Sequence, residues 1–244
     1  MSIRERTLGG DHLEVAASLS KLGAAETALR KFDAAFGHLR KALKIARTSL
    51  GHEHKTVAQM LCHTACLYFE AGELMASEAE FQDALEIYRG VWEGGRDSVL
   101  MQLTDTLCNV GSIQNRRKRF KEAVASFSEA LELQLGIVAQ DDARIISTLD
   151  NLGYSYSKLK DYGSALSCYR KMMRAQVSNS GTFTDACWDT FRKMILMMEK
   201  TRSYAEAVEE IKEVLQMQKT VLPREHVLIV QTKDLLEEMR QKIR

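Results

Sequence analysis

The chain has 244 residues, of which 45% are hydrophobic and 27% charged, and its formal net charge is +1. A balance this close to neutral gives no general attraction to nucleic acid or to a membrane surface, so neither is an expected partner. No run approaches the roughly 20 apolar residues that a membrane span requires. One proline and fourteen glycines leave little room for irregular structure, which is typical of a helical protein with ample material for a core.

The cysteines and the opening residues bear on the cellular compartment. Five cysteines, an odd number, are scattered through predicted helices, which indicates reduced thiols. Residues 1–10 lack the apolar core of a signal peptide. We therefore expect an intracellular, cytoplasmic protein.

Apolar residues recur at helical spacing along nearly the whole chain, in segments separated by short turns. In chain order the predicted helices lie near 14–28, 32–48, 56–70, 74–90, 98–115, 120–136, 142–158, 162–176, 184–199 and 204–220. Residues 227–244 continue the pattern for one more helix, which makes eleven. We expect no β-strand.

The clearest pair of helices lies between Asp141 and Val177. Its first helix carries the pattern L-x2-L-G-x2-Y, which ends at Tyr156, and its second helix carries A-x3-Y, which ends at Tyr169. Gly153 and Ala165 are small where the helices would approach most closely, and the tyrosines are large where gaps must be filled. Such a pair cannot bury both of its faces alone, so further copies are expected.

The same small positions recur every 42 residues, except for one step of 46. On the first helices they are Gly23, Ala65, Gly111 and Gly153, with Ile195 in place of the small residue in the fifth repeat, and on the second helices they are Ala35, Ser77, Ala123, Ala165 and Ala207. The four additional residues of the longer step lie between Gly90 and Met101. We expect them to lengthen the first helix of the third repeat by about one turn, with Asp97 or Ser98 as its N-cap.

The spacing predicts five repeats between two end segments. The boundaries are 1–10 for the tail of a preceding repeat or a linker, 11–51 for repeat 1, 52–93 for repeat 2, 94–139 for repeat 3 with its four-residue insertion, 140–181 for repeat 4, 182–222 for repeat 5 and 223–244 for a capping helix. In the last helix Glu237 occupies the close-contact position, where it could not accept a partner helix. Its one apolar face is formed by Leu228, Leu235, Leu236, Met239 and Ile243, which suits a terminal cap.

The signature is that of the tetratricopeptide repeat, although its usual period is about 34 residues. The linker before repeat 1, residues 8–12, reads LGGDH and matches LGHEH at residues 50–54. With its longer period and this linker motif, the chain resembles the repeats of kinesin light chains and of nephrocystin-type scaffolds over roughly its whole length. The resemblance implies a right-handed α-solenoid of five helix pairs plus a capping helix. No sustained heptad is present, so the coiled coil by which kinesin light chains join the motor is not implied.

Each predicted first helix has a face that packing does not need, opposite its signature residues. In the resembled family this face lines the inside of the superhelix and binds extended peptides. The candidate peptide-binding residues on it are Lys21, His63, Asn109, Arg116, Asn151, Tyr154, Lys158, Lys193 and Lys200. Side-chain amides can donate to and accept from a peptide backbone, and a row of cations attracts carboxylates. We therefore predict a protein–protein interaction scaffold or adaptor that binds an extended, acidic peptide in this groove.

The alternative is that this face is simply a solvated surface. Lysine or arginine near the end of a helix is favoured by the helix dipole whatever the groove does. The protein would then be an architectural subunit of a larger assembly that uses its outer surface and ends. The sequence holds no nucleotide-binding, hydrolase or metalloprotease motif, so we expect no enzyme, no cofactor and no small-molecule substrate.

Three other groups of residues have two interpretations each. The turn Asn115–Lys121 holds five cations and is either a solvated turn or a nuclear-import or acid-binding patch. Histidines and cysteines of the second repeat have metal-ligand chemistry but lack metal-ligand spacing, so no metal site is predicted. A methionine cluster is either adaptable core or a soft docking patch; its members are Met172, Met173, Met194, Met197 and Met198.

Overall fold

The structure, a computed structural model, describes residues 11–93 and 97–243. Within those residues every regular element is a helix and no strand occurs, which confirms the prediction of an all-α protein. The predicted tail at 1–10 lies outside the described residues. Backbone contacts divide the chain into two compact units, Met1–Leu133 and Gln134–Arg244, and the boundary falls inside a helix.

The helices alternate as first and second members of pairs. In the first unit they are α1 (Leu13–Ala28), α2 (Phe32–Leu50), α3 (Lys55–Ala71), α4 (Leu74–Glu93), α5 (Leu100–Arg116) and α6 (Phe120–Ile137), which crosses the unit boundary. In the second unit they are α7 (Ala143–Lys158), α8 (Tyr162–Ser180), α9 (Asp185–Lys200), α10 (Tyr204–Val221) and α11 (Val227–Ile243). Each helix predicted from the sequence is present, and no end differs from its predicted position by more than four residues.

In three of the five helix pairs the two helices touch where the sequence places a glycine, at Gly23, Gly111 and Gly153. A Cβ atom added at Gly153 of α7 would lie 2.7 Å from Tyr169 Cε1 of α8, and one added at Gly111 of α5 would lie 2.8 Å from the Phe127 ring of α6. Both distances are shorter than a carbon–carbon contact can be, so only a residue without a side chain fits at this separation. The predicted close contact is thus present in both units.

The turn within each pair bends through one residue in the left-handed region. These residues are Arg30 (φ 58°), Gly72 (φ 90°), Lys118 (φ 60°), Lys160 (φ 62°) and Arg202 (φ 58°), which share one repeat position. Glycine adopts this conformation without steric cost, whereas other residues pay about 1–2 kcal/mol. Four of the five turns use a cation instead. In every turn the N–H of the following residue donates to the carbonyl five residues earlier, over 2.8–3.0 Å, and this bond stabilises the bend.

In the second unit neighbouring pairs are joined by a repeated hydrogen bond. A threonine hydroxyl on each first helix donates to a glutamine side-chain oxygen on the preceding second helix, over 2.8–2.9 Å. The pairs are Thr148–Gln134, Thr190–Gln176 and Thr232–Gln218, each 42 residues from the next. In the first unit the position equivalent to Gln134 is held by Tyr88, which is buried. The threonine–glutamine hydrogen bonds in the second unit, and Tyr88 in the first, determine how neighbouring helix pairs pack within each unit.

The linker histidines cap the first helices. The Nδ1 atoms of His12, His54 and His226 accept hydrogen bonds from the backbone N–H two residues later, over 3.2–3.3 Å. A side-chain acceptor at this position satisfies an N–H group that has no partner within the helix. The recurring histidine of the linker motif therefore has a structural role.

The prediction for the 46-residue step was wrong. α5 begins at Leu100 and has 17 residues, the same length as α3, so the insertion does not lengthen it. A short 3-10 helix, Asp97–Val99, precedes it, and the N-cap is Val99 rather than Asp97 or Ser98. The 3-10 turn therefore leads the chain into a first helix of ordinary length.

The buried face of the last helix differs from the predicted one. Leu228, Leu236 and Met239 of α11 are buried, but Leu235 is half-buried and Ile243 is 52% exposed. Glu237 is exposed, in agreement with its predicted position. Ile229 and Thr232 are also buried, so the buried face has five residues, two of which were not predicted.

The close contact at Gly153 predicts that alanine substitutions at two helical glycines change the folding stability in opposite directions. Replacing Gly153 by alanine should destabilise the fold by about 1–3 kcal/mol because the methyl group overlaps Tyr169, and leucine should cost more. Gly37 of α2 is the control, because a Cβ there meets no atom within 4 Å. Gly37→Ala should instead stabilise by up to about 1 kcal/mol through helix propensity. Urea unfolding followed by circular dichroism measures both, and equal effects at the two sites would refute the close contact.

Candidate functional site

The candidate residues lie on the sides of the first helices that face away from their partners. We call this surface the first-helix face; it comprises the outward sides of α1, α3 and α5 in the first unit and of α7 and α9 in the second. Lys21, Asn109 and Arg116 are exposed on the first unit, and Lys158 and Lys200 on the second. The remaining candidates are His63, Asn151 and Lys193, which are half-buried, and Tyr154, which is 43% exposed.

In the first unit, contacts between successive first helices hold two of the candidates. His63 Nδ1 of α3 lies 2.7 Å from Ser20 Oγ of α1. Burial lowers the pKa of His63, because the charged imidazolium loses hydration. The Arg116 guanidinium of α5 lies over the ring of Phe69 in α3, with its carbon 4.0 Å from the ring centroid. This cation–π contact leaves the polar edge of the guanidinium available to an anion.

In the second unit, one predicted ligand-binding cation already has a carboxylate partner. Lys193 Nζ of α9 lies 2.5 Å from Asp150 Oδ1 of α7. Asn151 donates its amide to the Ser147 carbonyl one turn earlier, over 3.0 Å. Its side-chain oxygen still has acceptor capacity and its amide a second N–H. Of the equivalent positions Asn109, Asn151 and Lys193, the last two therefore already have partners within the chain.

Two exposed apolar side chains lie beside the lysines of the second unit. Lys158 Nζ lies 5.1 Å from the centroid of the Tyr154 ring. Leu196 occupies the same repeat position in α9 as Tyr154 does in α7, and it is 45% exposed. Sequence analysis did not select Leu196, although its 42-residue distance from Tyr154 was a sufficient signal. The face thus combines cations with apolar surface, which suits a ligand that carries both acidic and apolar groups.

Ion pairs connect the basic turn Asn115–Lys121 to the preceding helix pair. Glu78 of α4 is buried and forms ion pairs with both Arg117 and Arg119, and Arg119 also pairs with Glu122. Two of the five cations therefore neutralise a carboxylate that burial would otherwise destabilise. Lys118 and Lys121 are exposed.

The other two groups have structural environments. All five clustered methionines are buried, as adaptable core requires; these are Met172, Met173, Met194, Met197 and Met198. Across residues 11–93 and 97–243, no three histidine, cysteine or acidic side chains are grouped so that they could hold a metal ion. In the same residues no helix is long and apolar enough to cross a membrane.

The helix pairs, their glycine contact and their exposed first-helix face define a repeat protein that presents a surface to other proteins. The tetratricopeptide repeat family model matches residues 1–48, 14–90 and 102–176. The chain therefore belongs to the tetratricopeptide repeat family. This fold is that of a protein–protein interaction scaffold.

Comparison with individual proteins finds a relative that is named for kinesin light chain. The chain is 25% identical over 180 residues to Protein KINESIN LIGHT CHAIN-RELATED 1 of Arabidopsis thaliana, which covers 71% of this chain and 28% of that protein. The chain thus spans little more than a quarter of that relative.

Two solved structures share the fold. BtubC (BKLC) from P. vanneervenii aligns with a TM-score of 0.68 and 17% identity, over 93% of this chain and 97% of that one. A signal transduction ATPase with a tetratricopeptide repeat sensor from Pyrococcus horikoshii aligns with a TM-score of 0.70 and 16% identity, over 94% of this chain and 33% of that one.

The buried imidazole predicts how stability depends on pH. The folded-state pKa of His63 lies below its ordinary value of 6.5, so the unfolded chain binds a proton that the folded chain does not. Neutral His63 therefore stabilises the fold above pH 6.5. This contribution is lost as the pH falls from 6.5 towards the lower folded-state pKa. The denaturant midpoint should fall between about pH 7.5 and pH 5.5, and His63→Gln should reduce the fall. The control is His52→Gln, at an exposed histidine, and its denaturant midpoint should fall by as much as that of the parent. Equal falls in all three proteins would contradict this role of His63.

Proposed function

We propose that the chain is a non-catalytic adaptor that binds an extended, acidic peptide segment of a partner protein on its first-helix face. The observation that carries the proposal is a cation series at one repeat position. Arg116 in the first unit and Lys158 and Lys200 in the second are all exposed at the last turn of a first helix. The predicted repeat boundaries and a cytoplasmic location belong to the same proposal.

Physical chemistry favours an acidic ligand over a basic one. A solvated lysine or arginine adds attraction for a carboxylate, chiefly as faster association, and the effect weakens with salt. Tyr154 and Leu196 provide apolar surface next to Lys158 and Lys200, so a segment with apolar and acidic residues would be held by both. Asn109 is exposed and Asn151 retains unused hydrogen-bonding capacity, which supports contacts to a peptide backbone.

The alternative proposal is an architectural subunit whose first-helix face carries no ligand. It is favoured by the contacts that already use part of this face. Lys193 pairs with Asp150, Arg116 stacks on Phe69 and Asn151 bonds to its own helix. Each contact joins or stabilises helices, so those residues would be explained without a peptide.

Two double variants distinguish the proposals, with an acidic peptide selected against the purified chain from a random display library as the ligand. In Asn109→Ala/Asn151→Ala, each lost amide should cost about 1–3 kcal/mol of binding free energy because a bound backbone group is left unpaired. In Arg116→Glu/Lys158→Glu, association should slow sharply and its salt dependence should reverse or flatten. Stopped-flow association rates and equilibrium anisotropy give both quantities.

The matched control is Lys44→Glu/Lys171→Glu. These lysines are exposed on second helices, one in each unit, and the variant changes net charge by the same amount. It should bind nearly as the parent does. Parental affinity in both first-helix variants, with helicity retained, would exclude the peptide-binding proposal and leave the architectural one.

A further inference from the structure

A second candidate site lies away from the first-helix face, in the first unit. It is a cavity of about 640 Å³ formed by the last turn of α2, the linker to α3, and the C-terminal half of α4. This volume is within the range of about 300–1,000 Å³ that ligand sites occupy. Its lining includes Arg47, Glu53, Leu61, Asp83, Glu86 and Ile87.

The charges around the cavity are mainly negative. Asp83 and Glu86 are three residues apart on α4, which places their carboxylates on one side of the helix, and Glu53 approaches from the linker. Neither these carboxylates nor Arg47 forms an ion pair with another residue in the part of the chain that the structure describes. On the same helix, burial and the neighbouring charge of Asp83 raise the pKa of Glu80, and the charge of Arg47 offsets part of this effect.

The floor of the cavity is apolar, because Leu61 and Ile87 line it. Leu61 is 1% exposed, so the half-buried Ile87 supplies most of the accessible apolar surface.

We propose that this cavity binds a basic peptide segment of a partner protein. A lysine or arginine side chain would place its cation between Asp83 and Glu86 and its alkyl stem on Leu61 and Ile87. An anion would face three carboxylates against one arginine, and the apolar floor favours a cation with an alkyl stem over a simple amine.

The probe for this site is N-acetyl-arginine-N-methylamide, which carries a guanidinium and two carbonyls. Titrated into the isotope-labelled full chain, it should give saturable NMR shift changes centred on the amides of Ile87, Gly90 and Val91. N-acetyl-norleucine-N-methylamide has a similar stem without charge and should bind at least tenfold more weakly. Equal binding of the two probes, or no saturable change with the arginine probe, would overturn the proposal.

Two variants with matched controls locate the binding. Asp83→Asn/Glu86→Gln should weaken binding of the arginine probe at least tenfold. Glu132→Gln/Asp234→Asn removes the same charge from exposed sites outside the cavity and should leave binding unchanged. Parental affinity in the first variant, or equal weakening in both, would contradict a site at Asp83 and Glu86.

A steric test does not depend on charge. Gly90 lines the cavity, and an added Cβ there meets no atom within 4 Å, so Gly90→Leu should fill part of the space without straining the fold. Gly37→Leu, where a Cβ also meets no atom within 4 Å, is the control. Loss of probe binding is expected only in Gly90→Leu. Because this site is separate from the first-helix face, Gly90→Leu should keep acidic-peptide binding, and its retention distinguishes this proposal from the preceding one.

Discussion

In three of the five helix pairs, the contact between a glycine on one helix and a large side chain on its partner fixes the geometry on which the rest depends. Gly111 meets Phe127 and Gly153 meets Tyr169 at distances that exclude even a methyl group. A contact this close fixes both the spacing of the two helices and their rotation about their own axes. Once the rotation of a first helix is fixed, the residues on its opposite side are necessarily the exposed ones. The first-helix face is therefore a direct consequence of packing.

The contacts between neighbouring helix pairs then determine how much of the first-helix face is available to a ligand. Buried threonine–glutamine hydrogen bonds join neighbouring pairs in the second unit, and the ion pairs of Glu78 do so in the first. Some of these contacts include residues of the first-helix face, such as the ion pair between Lys193 and Asp150. A side chain held in such a contact would be less available to the proposed peptide. The side chains of Arg116, Lys158 and Lys200 remain exposed to solvent.

Helix positions and the close contacts could be predicted from the sequence because both follow from spacing and residue size. The 46-residue step could not be assigned in the same way, since a count of residues does not tell whether a helix or its linker absorbs them. The Lys193–Asp150 and Arg116–Phe69 contacts depend on which side chains meet across neighbouring repeats. A single period does not determine such pairs. The capping role of His12, His54 and His226 was accessible, because each precedes a predicted first helix.

The measurement that most directly tests binding on the first-helix face is site-specific photo-crosslinking to a captured protein partner. A benzophenone amino acid would be placed at positions 154 and 196 on the first-helix face, and in separate variants at positions 167 and 216. Ser167 and Gln216 are exposed on the second helices α8 and α10. Crosslinks to the partner are expected from positions 154 and 196, and not from 167 and 216. Crosslinks from 167 and 216 alone would show that the partner binds the second-helix surface and would contradict the assignment.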